Sequence, residues 1–228
     1  MLKYGSDPLK TYLPDSDIDI TVIPKTGRTS ALVQLKLILE QLESYRQNSW
    51  EMGETDLQIT QLVLIDQADV EIIKLTIANT MVDISIRQVG GLCTILFMER
   101  VAQKVPFLKV SILMLKAWMT YEASLLGSHA ANMATYALYV LVIFLVNNFE
   151  VRTPMEVLKL FFYYYGTFDW DQTMVSIYSP IRTLNFYDKL KNEFNFDLDK
   201  LALSQRAQEA DPLMLPKPLI SPEDLDDL

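Results

Sequence analysis

The N-terminal part of the chain has the alternating pattern of β-strands. Apolar Ile18, Ile20 and Val22 are separated by polar residues. Because side chains two apart share one face of a strand, this pattern predicts a strand at 17–24. Two further strands are predicted at about 57–65 and 70–77, and the same alternation, at Met81–Ile86, predicts a strand at about 80–87. The dipeptide Ala78-Asn79 would join the last two strands.

One long helix interrupts these strands. It is predicted to begin at Thr29 or Ser30, which can cap a helix, and to run to about Tyr45. Its apolar face is formed by leucines at helical spacing, Leu32, Leu35, Leu39 and Leu42. A shorter helix is predicted at 7–13 and a polar loop at Gln47–Asp56.

Beyond the strands the apolar period becomes helical. Helices are predicted at about 90–103, 106–124, 131–148, 154–165, 184–194 and 198–209. Pro106 and Pro154 would lie in first helical turns, where a missing N–H is tolerated. We therefore expect an α+β fold, with a small mixed-sheet domain at 1–88 followed by an all-helical domain at 89–210.

Two hydrophobic runs occur in the helical part. Met133–Val146 is almost wholly apolar, but its 14 residues are fewer than the ~20 that a membrane-spanning helix needs. It is therefore predicted to be a buried central helix rather than a membrane contact. Phe161–Tyr165 is wholly aromatic. It is interpreted as the aromatic core of an amphipathic helix, with base stacking as the alternative.

The polar positions of the strands contain the candidate chemistry. Asp17 and Asp19 share one strand face, and Asp83 lies with Ser85 on one face of another strand. Parallel carboxylates repel each other unless a cation lies between them, and Mg²⁺ or Mn²⁺ would accept such oxygen ligands. Three acids on neighbouring strands could hold two metal ions about 3.5–4 Å apart, as in phosphoryl transfer. A solvated strand face is the alternative.

The spacing of these acids resembles a known signature. Gly5-Ser6, a ten-residue gap, Asp17-Ile-Asp19 and the distal Asp83 are similar to the DNA polymerase beta-like nucleotidyltransferases. The resemblance is closest to non-canonical poly(A) and poly(U) polymerases, in the plant and protist branch with the poly(A) polymerase substrate-binding domain. It extends from about Leu2 to Pro180 and includes four further motifs, Gln88–Thr94, Ile112–Trp118, Thr135–Leu138 and Phe168–Asp171.

This resemblance implies a template-independent RNA 3′-terminal nucleotidyltransferase with a nucleotidyltransferase palm at 1–88. It would transfer a nucleoside monophosphate from a nucleoside triphosphate to an RNA 3′-hydroxyl by a two-metal mechanism. Asp17 and Asp19 would hold both metals, and Asp83 the metal that activates the hydroxyl. Gly5 and Ser6 would bind the β- and γ-phosphates. An intracellular location is implied, without a specific compartment.

The resemblance also implies nucleotide contacts in the helical part. Lys116 matches a residue that contacts the triphosphate, although a lysine in an apolar helix can also extend to water. Many relatives have a second lysine one turn later, where this chain has Thr120. Thr135 matches a hydroxyl that contacts phosphate. Tyr136 matches the tyrosine that stacks on the base, with a helix-core tyrosine as the alternative.

Other positions depart from the family or have no clear match. Thr94 matches a position near the ribose, but the preceding residue, often asparagine in relatives, is Cys93. No counterpart of the base-selecting motif is found in Asn185–Leu228. The single histidine, His129, has no second histidine or cysteine nearby, so a zinc site is not expected, and it is interpreted as a surface residue.

Charge and chain ends favour an alternative function. The formal net charge is −9, which is unusual for a protein that contacts phosphates. Relatives carry a helix before the Gly-Ser motif, whereas only three residues precede Tyr4. The chain could be a fragment, a compact divergent enzyme, or a catalytically inactive structural subunit of a larger, possibly ribonucleoprotein, assembly. The acidic, proline-rich tail at 211–228 is expected to be extended, and to cover the helical domain or bind a protein partner.

Overall fold

The structure is a computed structural model that describes residues 1–23, 31–52, 59–65, 72–127 and 132–184. It divides into two compact units, Met1–Arg100 and the part of the chain from Val101 onward. Several predicted features lie outside the described residues: the turn after Pro24, His129, the last two predicted helices and the tail.

A mixed sheet forms the first unit. Among the described residues it contains five strands, β1 (Leu2–Tyr4), β2 (Ile18–Val22), β3 (Ile59–Ile65), β4 (Ile72–Ile77) and β5 (Thr80–Ile86). Their order is β1-β2-β5-β4-β3, and only β2 and β5 pair in parallel. The predicted mixed sheet and the α+β fold class are confirmed.

One face of this sheet is packed by the long helix α2 (Ala31–Met52). Leu35 is fully buried against alternate apolar residues of the strands, among them Ile73, Val82 and Ile84. This burial explains why the apolar positions alternate along the strands. The helix is longer than predicted, and the loop predicted from Gln47 is helical up to Met52. Polar residues do not end a helix by themselves, and no glycine or proline occurs within α2.

Short connections fix the sheet geometry. Ala78 and Asn79 both have positive φ, 47° and 64°, as a two-residue turn between antiparallel strands favours. This turn confirms the predicted link between β4 and β5. Helix α1 (Ser6–Leu9) is shorter than predicted, because Lys10 adopts a left-handed conformation that ends it. Strand β1 is not predicted from the sequence, since three residues are too few to show a period.

Helices dominate the second unit. Helix α3 (Val89–Lys104) begins at the predicted domain boundary and contains the division between the units. It is followed by α4 (Leu108–Ala117), a π-helical turn at Trp118–Glu122, α5 (Thr135–Asn148) and α6 (Pro154–Gly166). The helix predicted from 106 begins two residues later, so Pro106 precedes α4. A hairpin of β6 (Thr173–Val175) and β7 (Pro180–Arg182) is an addition to the predicted elements.

Helix α6 begins at the predicted proline. The side chain of Thr153 accepts a hydrogen bond from the Glu156 N–H at 3.2 Å, and Pro154 is the first helical residue. The Glu156 carboxylate in turn accepts a hydrogen bond from the Arg152 N–H at 2.7 Å. These bonds resemble a capping box, which satisfies donors at the start of a helix.

The predicted central helix corresponds to α5. Every residue from Leu141 to Asn148 is buried, and Phe144 is fully buried with its ring 5.3 Å from that of Tyr164. The Tyr165 hydroxyl donates a hydrogen bond to the Leu141 carbonyl at 2.9 Å. Phe161 is also buried, so the aromatic run contributes to the core as predicted. No helix among the described residues is long and apolar enough to cross a membrane.

Candidate functional site

The sheet register aligns four polar residues in one row. Tyr4 on β1 is opposite Asp19 on β2, and Asp19 is opposite Asp83 on β5. Asp83 is in turn opposite Lys74 on β4. Residues directly opposite each other in a sheet have side chains on the same face. The polar face of the sheet therefore presents two acids between a tyrosine and a lysine.

The three predicted acids form a cluster at this row. Asp17, Asp19 and Asp83 each offer a carboxylate oxygen, and these oxygens lie within 4.8 Å of one another. Asp83 is buried, with 7% of its surface exposed, and the other two are half-buried. Three carboxylates at this separation repel each other. Their number, spacing and oxygen chemistry fit a divalent cation such as Mg²⁺.

Lys74 contacts the cluster and is missed by the sequence analysis. Its Nζ lies 2.6 Å from Oδ2 of Asp83. The sequence does contain a signal, because a two-residue turn at Ala78-Asn79 places residues 74 and 83 directly opposite each other. The apolar alternation of this strand predicts its buried face but says nothing of what the polar positions contact.

Gly5 lies directly against one of the acids. It has a φ of +74°, a conformation that favours glycine, and a Cβ at this position would collide with the Asp19 carboxylate. Ser6 follows as the first residue of α1 and is buried. The predicted Gly-Ser turn is therefore next to the carboxylate cluster, and the absence of a side chain at Gly5 is what permits the approach.

Tyr4 connects β1 to the rest of the sheet. Its hydroxyl lies 3.1 Å from Ser85 Oγ, which in turn donates a hydrogen bond to the Ile20 carbonyl at 3.3 Å. Burial raises the pKa of Tyr4, and the nearby carboxylates, Asp19 foremost, raise it further. A Cβ at Gly91 of α3 would lie 2.5 Å from the Tyr4 ring, so this packing requires glycine.

The remaining predicted residues lie on helices. Thr94 is on α3, where its hydroxyl donates to the Gly90 carbonyl at 2.9 Å. Lys116, Thr135 and Tyr136 belong to the second unit. Lys116 is buried near the end of α4, with 8% of its surface exposed. Tyr136, in the first turn of α5, is 58% exposed, so the alternative that it is a core residue is wrong.

Comparison with known families identifies the helical part. The model of the PAP/OAS1 substrate-binding domain matches residues 102–218, about half of the chain. The chain therefore belongs to the family that carries this domain. The predicted resemblance to non-canonical poly(A) and poly(U) polymerases is confirmed at this level. The plant and protist branch stays a prediction.

Two solved structures with a similar fold extend this comparison. The polymerase core of TRAMP, an RNA surveillance complex, is 20% identical, with a TM-score of 0.64. The match covers 84% of this chain and 60% of that one. Cid1 poly(U) polymerase with MgGTP bound is 15% identical over 82% of this chain and 68% of its own, with a TM-score of 0.61. This chain thus spans about 60% of the length of the TRAMP polymerase core. No match was found among curated proteins.

Proposed function

We propose that this chain is a template-independent RNA 3′-terminal nucleotidyltransferase. The observation that carries the proposal is the cluster of Asp17, Asp19 and Asp83, whose carboxylate oxygens converge within 4.8 Å. Such a cluster is unfavourable without a cation, so its presence on a partly buried face of the sheet favours a metal-dependent function. Membership of the PAP/OAS1 domain family supports the same reaction class.

The three acids are the proposed ligands of Mg²⁺ or Mn²⁺. When bound, such cations stabilise the charge that develops on the phosphates and make a hydroxyl more acidic. Asp83 is proposed to accept the proton of the attacking hydroxyl, since a carboxylate within reach can act as a general base. The solved Cid1 structures include forms with MgGTP bound.

The proposed reaction forms a phosphodiester bond and breaks a phosphoanhydride bond. The 3′-oxygen of the RNA forms a bond to the α-phosphorus of a nucleoside triphosphate. The bond from that phosphorus to the bridging oxygen of the β-phosphate breaks, and pyrophosphate leaves. The RNA gains one nucleotide, and the hydroxyl proton passes to the base. The attacking oxygen approaches the phosphorus on the side opposite the leaving oxygen, so the two oxygens must lie roughly in line.

Five further residues are proposed to hold the nucleotide. The Gly5 backbone and the Ser6 hydroxyl are proposed to bind the β- and γ-phosphates, because a glycine allows close approach of backbone N–H groups. Lys116 and Thr135 are proposed to contact the triphosphate. The exposed ring of Tyr136 is available to stack on a base.

One additional contact concerns the sugar. Thr94 is proposed to lie near the ribose. Stacking alone accepts every base, because every base has a π-face. We therefore expect weak discrimination between nucleoside triphosphates unless a protein partner supplies it. A partner or larger assembly is part of the proposal, since the TRAMP relative is described as part of a complex.

Extension of a short RNA with labelled nucleoside triphosphates tests the proposal. The wild-type chain should add nucleotides with Mg²⁺ or Mn²⁺ and should stop when the cation is chelated. Asp17→Ala should abolish addition, whereas Glu40→Ala, an exposed acid on α2, should leave it unchanged. Extension that persists in the Asp17 variant would contradict the assignment. A folded wild type that never extends RNA would favour the inactive-subunit alternative.

A further inference from the structure

We propose that Lys74 is a positioning residue for the carboxylate cluster. It would serve as the counter-charge of the cluster and hold Asp83 in place before a divalent cation binds. The inference rests on the proposed function, since it concerns the same cation site. It assigns a role to a residue that the sequence analysis does not single out.

The sheet itself places Lys74 at the cluster. Lys74 and Asp83 are directly opposite each other on β4 and β5, whose register is fixed by a two-residue turn. The ammonium lies 2.6 Å from Oδ2 of Asp83. The Asp83 side chain is 10% exposed and that of Lys74 is 34% exposed, so the carboxylate end of the pair is the more desolvated. This placement depends on strand backbone rather than on a loop.

A second lysine shows how the cluster pair differs from a surface pair. Lys3 and Asp7 are 3.1 Å apart, four positions apart in sequence, with side chains 56% and 28% exposed. Exposed pairs of this kind contribute little, because water screens them and both side chains lose freedom. The Lys74–Asp83 pair is shorter and more buried, and one of its members belongs to a group of three converging acids.

The charge balance indicates what Lys74 does. Without a divalent cation, three carboxylates converge, and the Lys74 ammonium lies against one of them, Asp83. The ammonium neutralises part of this charge and donates a hydrogen bond to Oδ2 of Asp83. A divalent cation held by Asp83 would carry the same sign of charge as the ammonium that contacts this carboxylate. Lys74 therefore stabilises the cation-free site more than the cation-bound site.

This difference predicts how removal of the Lys74 charge changes stability and cation affinity. Lys74→Met should lower stability in the absence of divalent cations. The same variant should bind a divalent cation on the order of tenfold more tightly, from the Coulomb repulsion between a unit charge and a double charge at short range in water. A lysine with a merely structural role would lower stability equally with and without the cation.

The test measures cation binding directly rather than activity. Binding of Mn²⁺ is followed by electron paramagnetic resonance, and melting temperature is measured in EDTA and in saturating Mg²⁺. Lys74→Met should show tighter Mn²⁺ binding and a larger gain in melting temperature from Mg²⁺ than wild type. Lys74→Arg, which keeps the charge, and Lys3→Met, which removes the surface pair, should both bind Mn²⁺ within about twofold of wild type.

The outcomes separate this inference from the proposed function. If wild type binds no Mn²⁺, or if Asp17→Asn binds it equally well, the proposed cation site is wrong. If wild type binds through the cluster but Lys74→Met has unchanged or weaker affinity, the role of Lys74 is overturned. Should Lys74→Met fail to fold, Lys74→Gln removes the charge while keeping a polar side chain, and the same two results decide.

Discussion

Two regions of this chain bring side chains together for different physical reasons. In the sheet, the parallel register of β2 and β5 places Asp19 directly opposite Asp83, and Asp17 lies within the same cluster. Around α5, a continuous apolar surface is buried on all sides, with Phe144 among the rings of Phe149, Tyr164 and Tyr165. One region concentrates like charge, and the other removes apolar surface from water.

The two regions have opposite effects on the free energy of the folded state. Converging carboxylates raise the free energy of the folded state unless a cation compensates, whereas buried apolar side chains lower it. The proposed cation would offset this unfavourable term. Substitutions in the two regions should therefore have opposite signatures: loss of activity with little loss of stability in the sheet, and the reverse around α5.

Asp83→Asn should have the largest effect on activity. It keeps the shape of the side chain but removes one anionic ligand, and metal ions contribute several kcal/mol to such reactions. RNA extension should fall by about a thousandfold or more. Stability to urea without divalent cations should change by less than ~1 kcal/mol, because charge repulsion is relieved as the pair with Lys74 weakens. Retained activity would place the catalytic acids elsewhere.

Phe144→Ala should have the largest effect on stability. The ring is fully buried, and removing it leaves a cavity, which typically costs about 3–5 kcal/mol. Tyr163→Ala is a matched control on the neighbouring helix, because Tyr163 is largely exposed and should change stability by about 0.5 kcal/mol or less. Urea unfolding measures both. Equal losses in the two variants would show that α5 is not the core assigned to it.

Gly5→Ala should reduce both stability and activity. The new Cβ would collide with the Asp19 carboxylate and would strain a backbone at φ +74°, which together should cost about 1–3 kcal/mol. Displacement of Asp19 should also reduce RNA extension at least about tenfold. Gly127→Ala is the control, since Gly127 also has a positive φ but has open space around it. Its variant should lose stability but keep activity.

Alkaline pH should weaken the core around α5. Burial raises the pKa of Tyr165, so above about pH 10 the unfolded chain loses this proton while the folded chain keeps it. The contribution of the Tyr165 hydroxyl to the free energy of unfolding is therefore fully present below pH 10. Above pH 10 it falls by up to ~1.4 kcal/mol per pH unit. Tyr165→Phe should have a shallower decline in urea unfolding measured between about pH 9 and 11. An unchanged slope would show that ionisation of Tyr165 is not the cause of the decline.

Much of the sheet and of the acid cluster could be predicted from sequence. Apolar and polar residues alternate at 18–22 and 82–86, so the faces of Asp17, Asp19 and Asp83 followed from the period. The cluster itself depends on the parallel pairing of β2 with β5, which local patterns do not specify. From sequence alone, it is only a hypothesis that these two strands are neighbours.

The features that sequence reasoning misses depend on strand pairing and local backbone conformation, which the apolar periodicity does not show. The ion pair of Lys74 with Asp83 follows from a hairpin register that polar periodicity does not reveal. Strand β1 is held by pairing with β2 rather than by its own propensity. The predicted end of α1 is wrong because Lys10 adopts a left-handed conformation that an isolated pattern does not indicate. Helix α2 extends beyond its predicted end because no glycine or proline interrupts it.

Nucleoside triphosphate binding with and without Mg²⁺ tests the central claim most directly. The claim is that the carboxylate cluster of the sheet holds the cation through which a nucleotide is bound. Calorimetric titration of the wild-type chain should show binding that is much tighter with Mg²⁺ than in EDTA. Asp19→Asn should lose this enhancement, and Glu40→Gln should keep it. Equal affinity with and without Mg²⁺, or an undiminished enhancement in the Asp19 variant, would contradict the account.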